Sequence, residues 1–102
     1  MEQAALQKAV LQWAEDKGIM EWASPQAQFM KTVSEVGELA DALAKGTDKE
    51  EIIDAIGDIQ VTLIILAELL DLDYTGCLAQ AYQVISGRTG QMVNGVFVKD
   101  ED

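Results

Sequence analysis

Lys45-Gly46-Thr47 lies between two long segments of helical signal, and this junction constrains the chain more than any other feature. A glycine just past the last periodic residue takes the left-handed conformation that ends a helix, and Thr47 with Glu50 forms a capping box that starts the next at once. Two helices joined so tightly must run antiparallel. The first spans about 25–45: Ser24-Pro25 supplies an N-cap followed by proline at the first helical position, and Phe29, Val33, Val36, Ala40 and Leu43 form its apolar stripe. The second spans about 48–70 and from Ile59 onward is apolar nearly all round, interrupted by Gln60, Thr62 and Glu68. That run is too short and too broken for a membrane span, which needs about 20 apolar residues. A helix without a solvent face is a core helix. A chain of 102 residues can hardly surround one on every side, so part of it is expected to be covered by another subunit.

Two further helices are predicted. One covers about 2–17, with Ala5, Leu6, Ala9, Val10 and Trp13 on its apolar side and Gly18 at its end. The other covers about 74–86, with Leu78, Ala81, Tyr82 and Ile85. The tail, 88–102, carries Asn94-Gly95 between β-favouring residues, a two-residue hairpin signal. The expectation is one all-α domain over 1–102: a four-helix bundle completed by oligomerisation, with a short C-terminal hairpin or extended tail.

Eighteen acidic against seven basic side chains give a formal charge of −11, which argues against nucleic-acid polymers and anionic membranes as partners. Histidine is absent, removing Ser-His and Cys-His triads and zinc-histidine chemistry and leaving carboxylates as the reactive groups. The single cysteine, Cys77, cannot form an intrachain disulfide and is expected to be buried. No signal peptide precedes the first amphipathic segment, so the cytoplasm is the expected compartment.

Residues equidistant from a tight antiparallel turn share a height. About a turn between Gly46 and Thr47, Glu35 faces Asp58, and Glu38 lies within one residue of Asp54. Glu35 and Glu38 are three apart and Asp54 and Asp58 four apart, so each pair shares a helix face. Like charges so placed and partly buried are costly without a cation. Oxygen-only donors point to a hard ion, Mg²⁺ or alternatively Mn²⁺, carrying waters and substrate phosphates. Gly37 and Gly57 in the same layer, each unfavourable in a helix interior, suggest close approach by some group.

The stretches Ser34-Glu35-Val36-Gly37-Glu38-Leu39-Ala40 and Glu51-Ile52-Ile53-Asp54-Ala55-Ile56-Gly57-Asp58 resemble the split acidic signature, EExxE then ExxD, of the MazG-like all-α nucleoside triphosphate pyrophosphohydrolases. Trp13-Ala14-Glu15-Asp16-Lys17-Gly18 and Gly95-Val96-Phe97-Val98-Lys99 are similar to the short, single-domain phage and mobile-element branch. Ser34 replaces the first glutamate of EExxE, and Ala55 stands where an ExxD ending at Asp58 would have glutamate. Asp54 can supply the missing ligand, or Glu51-x-x-Asp54 is the functional ExxD. The resemblance implies Mg²⁺-dependent cleavage of a nucleoside triphosphate into monophosphate and pyrophosphate by a homodimer or homotetramer. Glu35, Glu38, Asp54 and Asp58 would hold the metal, with Glu35 and Glu38 carrying the catalytic role.

Around this set, Lys31 lies one turn before Glu35 and reaches a phosphate or is simply solvated. Arg88 and Lys99 reach a site from the tail, on the same or a neighbouring subunit. Trp22 is structural or stacks on a base, Gln28 reads a base edge or decorates the surface, and Glu51 also suits the first turn of its helix through the helix dipole. Trp13 is expected in the core. Two rival readings use the same residues: a non-catalytic acidic interaction module, and a nucleotide-binding protein that has lost catalysis.

Overall fold

Local signals place each helix end in the computed structural model, which describes residues 1–100; Glu101 and Asp102, the end of the predicted tail, lie outside it. The elements run α1 (Gln3–Asp16), α2 (Ile19–Trp22), α3 (Pro25–Lys45), α4 (Lys49–Leu69), α5 (Tyr74–Ser86), β1 (Gly90–Val93) and β2 (Val96–Lys99). Helices make up 73% of the structure, and the strands form one antiparallel hairpin with Met92 opposite Phe97 and Val93 opposite Val96. The tail is thus the hairpin rather than an extended strap. Asn94 and Gly95 take φ of 51° and 88°, the left-handed pair that a two-residue turn demands.

Ser24 caps α3, its hydroxyl accepting from the Ala27 amide at 3.1 Å. Gly46 ends the helix at φ 64°, and the Thr47 amide reaches back to the Ala42 carbonyl at 3.2 Å. The cap of α4 is one residue later than the capping box implies. Asp48, not Thr47, accepts from the Glu51 amide at 3.2 Å, while the Thr47 hydroxyl donates to the Ala42 carbonyl and fastens the turn. A carboxylate satisfies the helix N-terminus with charge as well as hydrogen bonding, which favours it over the neighbouring hydroxyl. The four-residue α2 has no counterpart in the sequence reading; Gly18, at φ 79°, turns the chain into it.

Helices α3 and α4 form the central pair, α1 packs on α4 and on α2, and α5 touches α4 alone among the larger contacts. The interior is made of small residues and a few branched ones: Ala14, Ala42, Ala55, Ile64, Ile65 and Ala67. Two expectations about it fail. Helix α3 turns its polar side inward, burying Gln28, Thr32, Glu35 and Ala42, while Phe29, Val33, Val36 and Leu43 of the predicted core stripe are 45–60% exposed. Trp13 and Cys77 are also exposed rather than buried, because α1 meets its neighbours through Ala14 and α5 has no buried residue at all. No helix among the described residues is long and apolar enough to cross a membrane.

Candidate functional site

A seam of hydrogen bonds holds α3 against α4 and leads to the acidic layer. The Thr32 hydroxyl donates to the Thr62 hydroxyl at 2.9 Å, Thr62 to the Ile59 carbonyl at 2.7 Å, and the Gln28 side-chain amide to the Thr62 carbonyl at 3.2 Å. Gln28 is therefore not a surface residue. Its amide is buried and spent on α4. One turn beyond Thr32, Glu35 is buried at 7% exposure. One carboxylate oxygen meets the Lys31 ammonium at 3.2 Å; the other, Oε2, has no hydrogen-bond partner. A buried, half-satisfied carboxylate is costly, and such an oxygen requires an explanation.

Beside it opens a groove of about 200 Å³ lined by Glu38, Ala42, Glu51, Asp54, Ala55 and Asp58. The height argument thus brings Glu38, Asp54 and Asp58 to one place, and Glu51 joins them from the first turn of α4. The small side chains of Ala42 and Ala55 are buried between the helices, leaving the carboxylates to form the walls. The electrostatics tie Glu35 to this groove. A hydrogen bond to Glu35 and its charge raise the Glu38 carboxyl above its ordinary 4.5, with Lys31 opposing. Desolvation raises Asp58 above 3.8, followed by the charges of Asp54 and Glu35, with Lys31 again opposing.

The donor set fits a hard divalent ion in chemistry: oxygen ligands only, one of them an orphaned buried oxygen. The full ligand sphere is not drawn together, since among the described residues no three carboxylates converge on one ligating point. The volume also falls below the roughly 300 Å³ of a small-molecule pocket, so the groove suits an ion and a phosphate rather than a whole nucleotide.

The remaining predicted residues lie elsewhere. Trp22 is 82% exposed at the end of α2, its indole over Gly18. Arg88 and Lys99 are exposed at the two ends of the hairpin segment and do not line the groove. Around Gly37 and Gly57 an added Cβ would meet nothing within 4 Å, so among the described residues none makes the close approach those glycines suggest. Sequence reasoning missed the Thr32–Thr62 contact. The available signal was three polar residues at helical spacing, Gln28, Thr32 and Glu35, facing Thr62 across the turn.

The fold and site together define a helical-hairpin protein with an acidic groove along one side of its central helix pair. Over 67 residues the chain is 44% identical to an uncharacterized 18.2 kDa protein from the rep-hol intergenic region of Haemophilus phage HP1 (strain HP1c1); the match covers 65% of this chain and 40% of that one. The chain thus spans well under half the length of the curated relative it matches. No family model matches the chain, and no solved structure matches it.

Proposed function

We propose that this chain is a Mg²⁺-dependent nucleoside triphosphate pyrophosphohydrolase of the MazG-like, all-α kind, acting in the cytoplasm as a homodimer or homotetramer. The observation that carries the reading is the partnerless Oε2 of buried Glu35 beside the groove of Glu38, Asp54 and Asp58. Those four carboxylates would hold Mg²⁺, or Mn²⁺ in its place, and the ion would supply neutralisation of charge on the departing pyrophosphate. Glu38 stands exposed at the groove, within reach of a water that attacks there, and its carboxylate suits it to accept that water's proton. Lys31, whose ammonium already bridges to Glu35, is placed to meet a phosphate oxygen at the same layer. Incubation with each nucleoside triphosphate and Mg²⁺ tests the reading: pyrophosphate release is expected, and its absence from every nucleotide with the fold intact overturns it.

Ala55 favours one rival reading. It lies on the groove where the family signature has a glutamate, so the groove has one carboxylate fewer than the signature implies. Retained nucleotide binding without hydrolysis would follow from that loss. Calorimetric titration with a non-hydrolysable triphosphate, run beside the turnover assay, separates the two.

A further inference from the structure

Eighteen acidic side chains share seven basic ones in this chain, yet among the described residues a single ion pair forms, and it joins Lys31 to Glu35. Helix spacing does not favour it. A lysine four residues before a glutamate is the weaker orientation of such a pair, and solvated pairs of this kind contribute little. What sets Glu35 apart is burial. Among the described residues it is the one buried charged group, its side chain 9% exposed against 61% for that of Lys31. Three or four residues away on α3, in either direction, Lys31 meets Ala27, Gln28, Ser34 and Glu35, so Glu35 is the one anion it can reach there.

The pairing is one-sided. The Lys31 ammonium lies 3.2 Å from Oε1 of Glu35, while Oε2, closed off from solvent, has no partner. An ionised carboxylate offers several acceptor sites, so one exposed ammonium leaves most of that capacity unused. The charge of Lys31 nevertheless extends over the whole acidic layer, since it opposes the rise of both Glu38 and Asp58. Lys31 thus stands as a positive charge beside the groove, held there by one contact. Its head is solvated and its stem flexible, so it can leave without disturbing the seam of Gln28, Thr32 and Thr62 that packs α3 on α4.

We infer that Lys31 is a built-in counter-cation of Glu35: in the metal-free protein its ammonium holds part of the place of a divalent ion, yields to such an ion at Oε2, and turns to an anionic oxygen of the ligand. The driving force is repulsion between two positive charges that share one carboxylate. Lys31 then has two partners in succession, and its release ties phosphate capture to an occupied metal site. The inference rests on the metal site of the reading above and adds an order to it, cation first and phosphate second. Removing a lysine that competes with the cation and assists the phosphate tightens the first and weakens the second. Removing one that merely decorates the helix moves neither.

Titration of the full-length, metal-free protein with Mn²⁺, read by the electron paramagnetic resonance of the free ion, is the test. Lys31→Met keeps the stem and removes the charge, and should bind Mn²⁺ about 10-fold more tightly than the wild type. Lys31→Gln, also uncharged, serves as a second variant and should shift the same way. Lys31→Arg retains the charge and should stay within about twofold of the wild type, as should Lys8→Met, an equal change of net charge on α1. With Mn²⁺ saturating, tripolyphosphate should bind both uncharged Lys31 variants about 10-fold more weakly than the wild type. Uncharged variants whose Mn²⁺ affinity is unchanged or lower overturn the inference and leave the metal site standing. A gain for Mn²⁺ with no loss for tripolyphosphate overturns the exchange of partners. A wild type that binds no Mn²⁺ at millimolar concentration overturns the metal site itself, and the inference with it.

Discussion

Replacing Glu35 by glutamine exchanges a buried, half-satisfied carboxylate for an amide of the same shape. Relieving an unpartnered buried acceptor is worth about 1–3 kcal/mol, more for a charged group. The change also forfeits the ion pair with Lys31, but that lysine is 61% exposed, and such pairs contribute about 0–1 kcal/mol. The new amide stands beside Glu38, so it replaces a like-charge contact with a donor. The net expectation in chelator is a gain of about 1–2 kcal/mol, or about 5–10 °C in melting temperature for a domain of this size. With Mg²⁺ the order should close up. A site occupied at ten times its dissociation constant gains about 1.4 kcal/mol, and the variant, lacking the buried ligand, should gain much less. Calorimetric scans of both proteins at one fixed concentration, in EDTA and in Mg²⁺, give all four numbers. A variant that melts below the wild type in EDTA, or that rises equally with Mg²⁺, would refute the assignment of Glu35 as a carboxylate held in reserve for a cation.

The pH dependence has a definite sign. Glu38 and Asp58 are both raised in the fold, so the native chain holds more protons than the unfolded one just above pH 4. Metal-free stability should be greatest on the acid side and decline as pH climbs through their native values; urea midpoints that instead rise with pH would contradict the placement of both groups. Glu38→Gln should abolish turnover while leaving the melting temperature unchanged or higher, and retention of full kcat would remove Glu38 from the chemistry. Thr62→Val removes the Thr32–Thr62 hydrogen bond, leaving the Thr32 hydroxyl its longer contact with the Gln28 carbonyl at 3.4 Å, and should cost about 0.5–1.5 kcal/mol in denaturant unfolding. Gly37→Ala and Gly57→Ala meet no neighbour and should each stabilise by about 0.5–1 kcal/mol; destabilisation would mean that a partner or ligand fills that space.

Much of the local architecture was legible because it depends on residues close in sequence. The Ser24 cap, the Gly46 stop and the Asn94-Gly95 turn are each fixed by one side chain or one backbone angle, and the structure uses all three. The Asp48 cap was displaced by one residue because Thr47 and Asp48 are both good caps, and the choice depends on whether Thr47 is free. It is not, since the turn consumes its hydroxyl. The groove was legible for a related reason. A tight antiparallel turn converts sequence distance into height, and Glu38, Asp54 and Asp58 needed nothing further to meet.

The facing of α3 was not legible, and its failure is informative. Periodicity identifies an apolar stripe and assigns it to the core, on the assumption that the core belongs to the same chain. Gln28, Thr32 and Glu35 form a second stripe at helical spacing, and because Thr62 meets them with matched donors and acceptors, that stripe fits the intrachain contact while small Ala42 and Ala55 close its end. A polar seam of this kind adds little net stability, because each bond replaces one to water, but it fixes register: sliding α3 by one turn would separate Thr32 from Thr62 and strand Gln28. Register is what holds Glu35 level with Asp58. The apolar residues Phe29, Val33, Val36 and Leu43 are thereby left outside this contact and stay about half exposed. The carboxylates of the groove thus adjoin the polar seam, while the apolar stripe occupies a different side of α3.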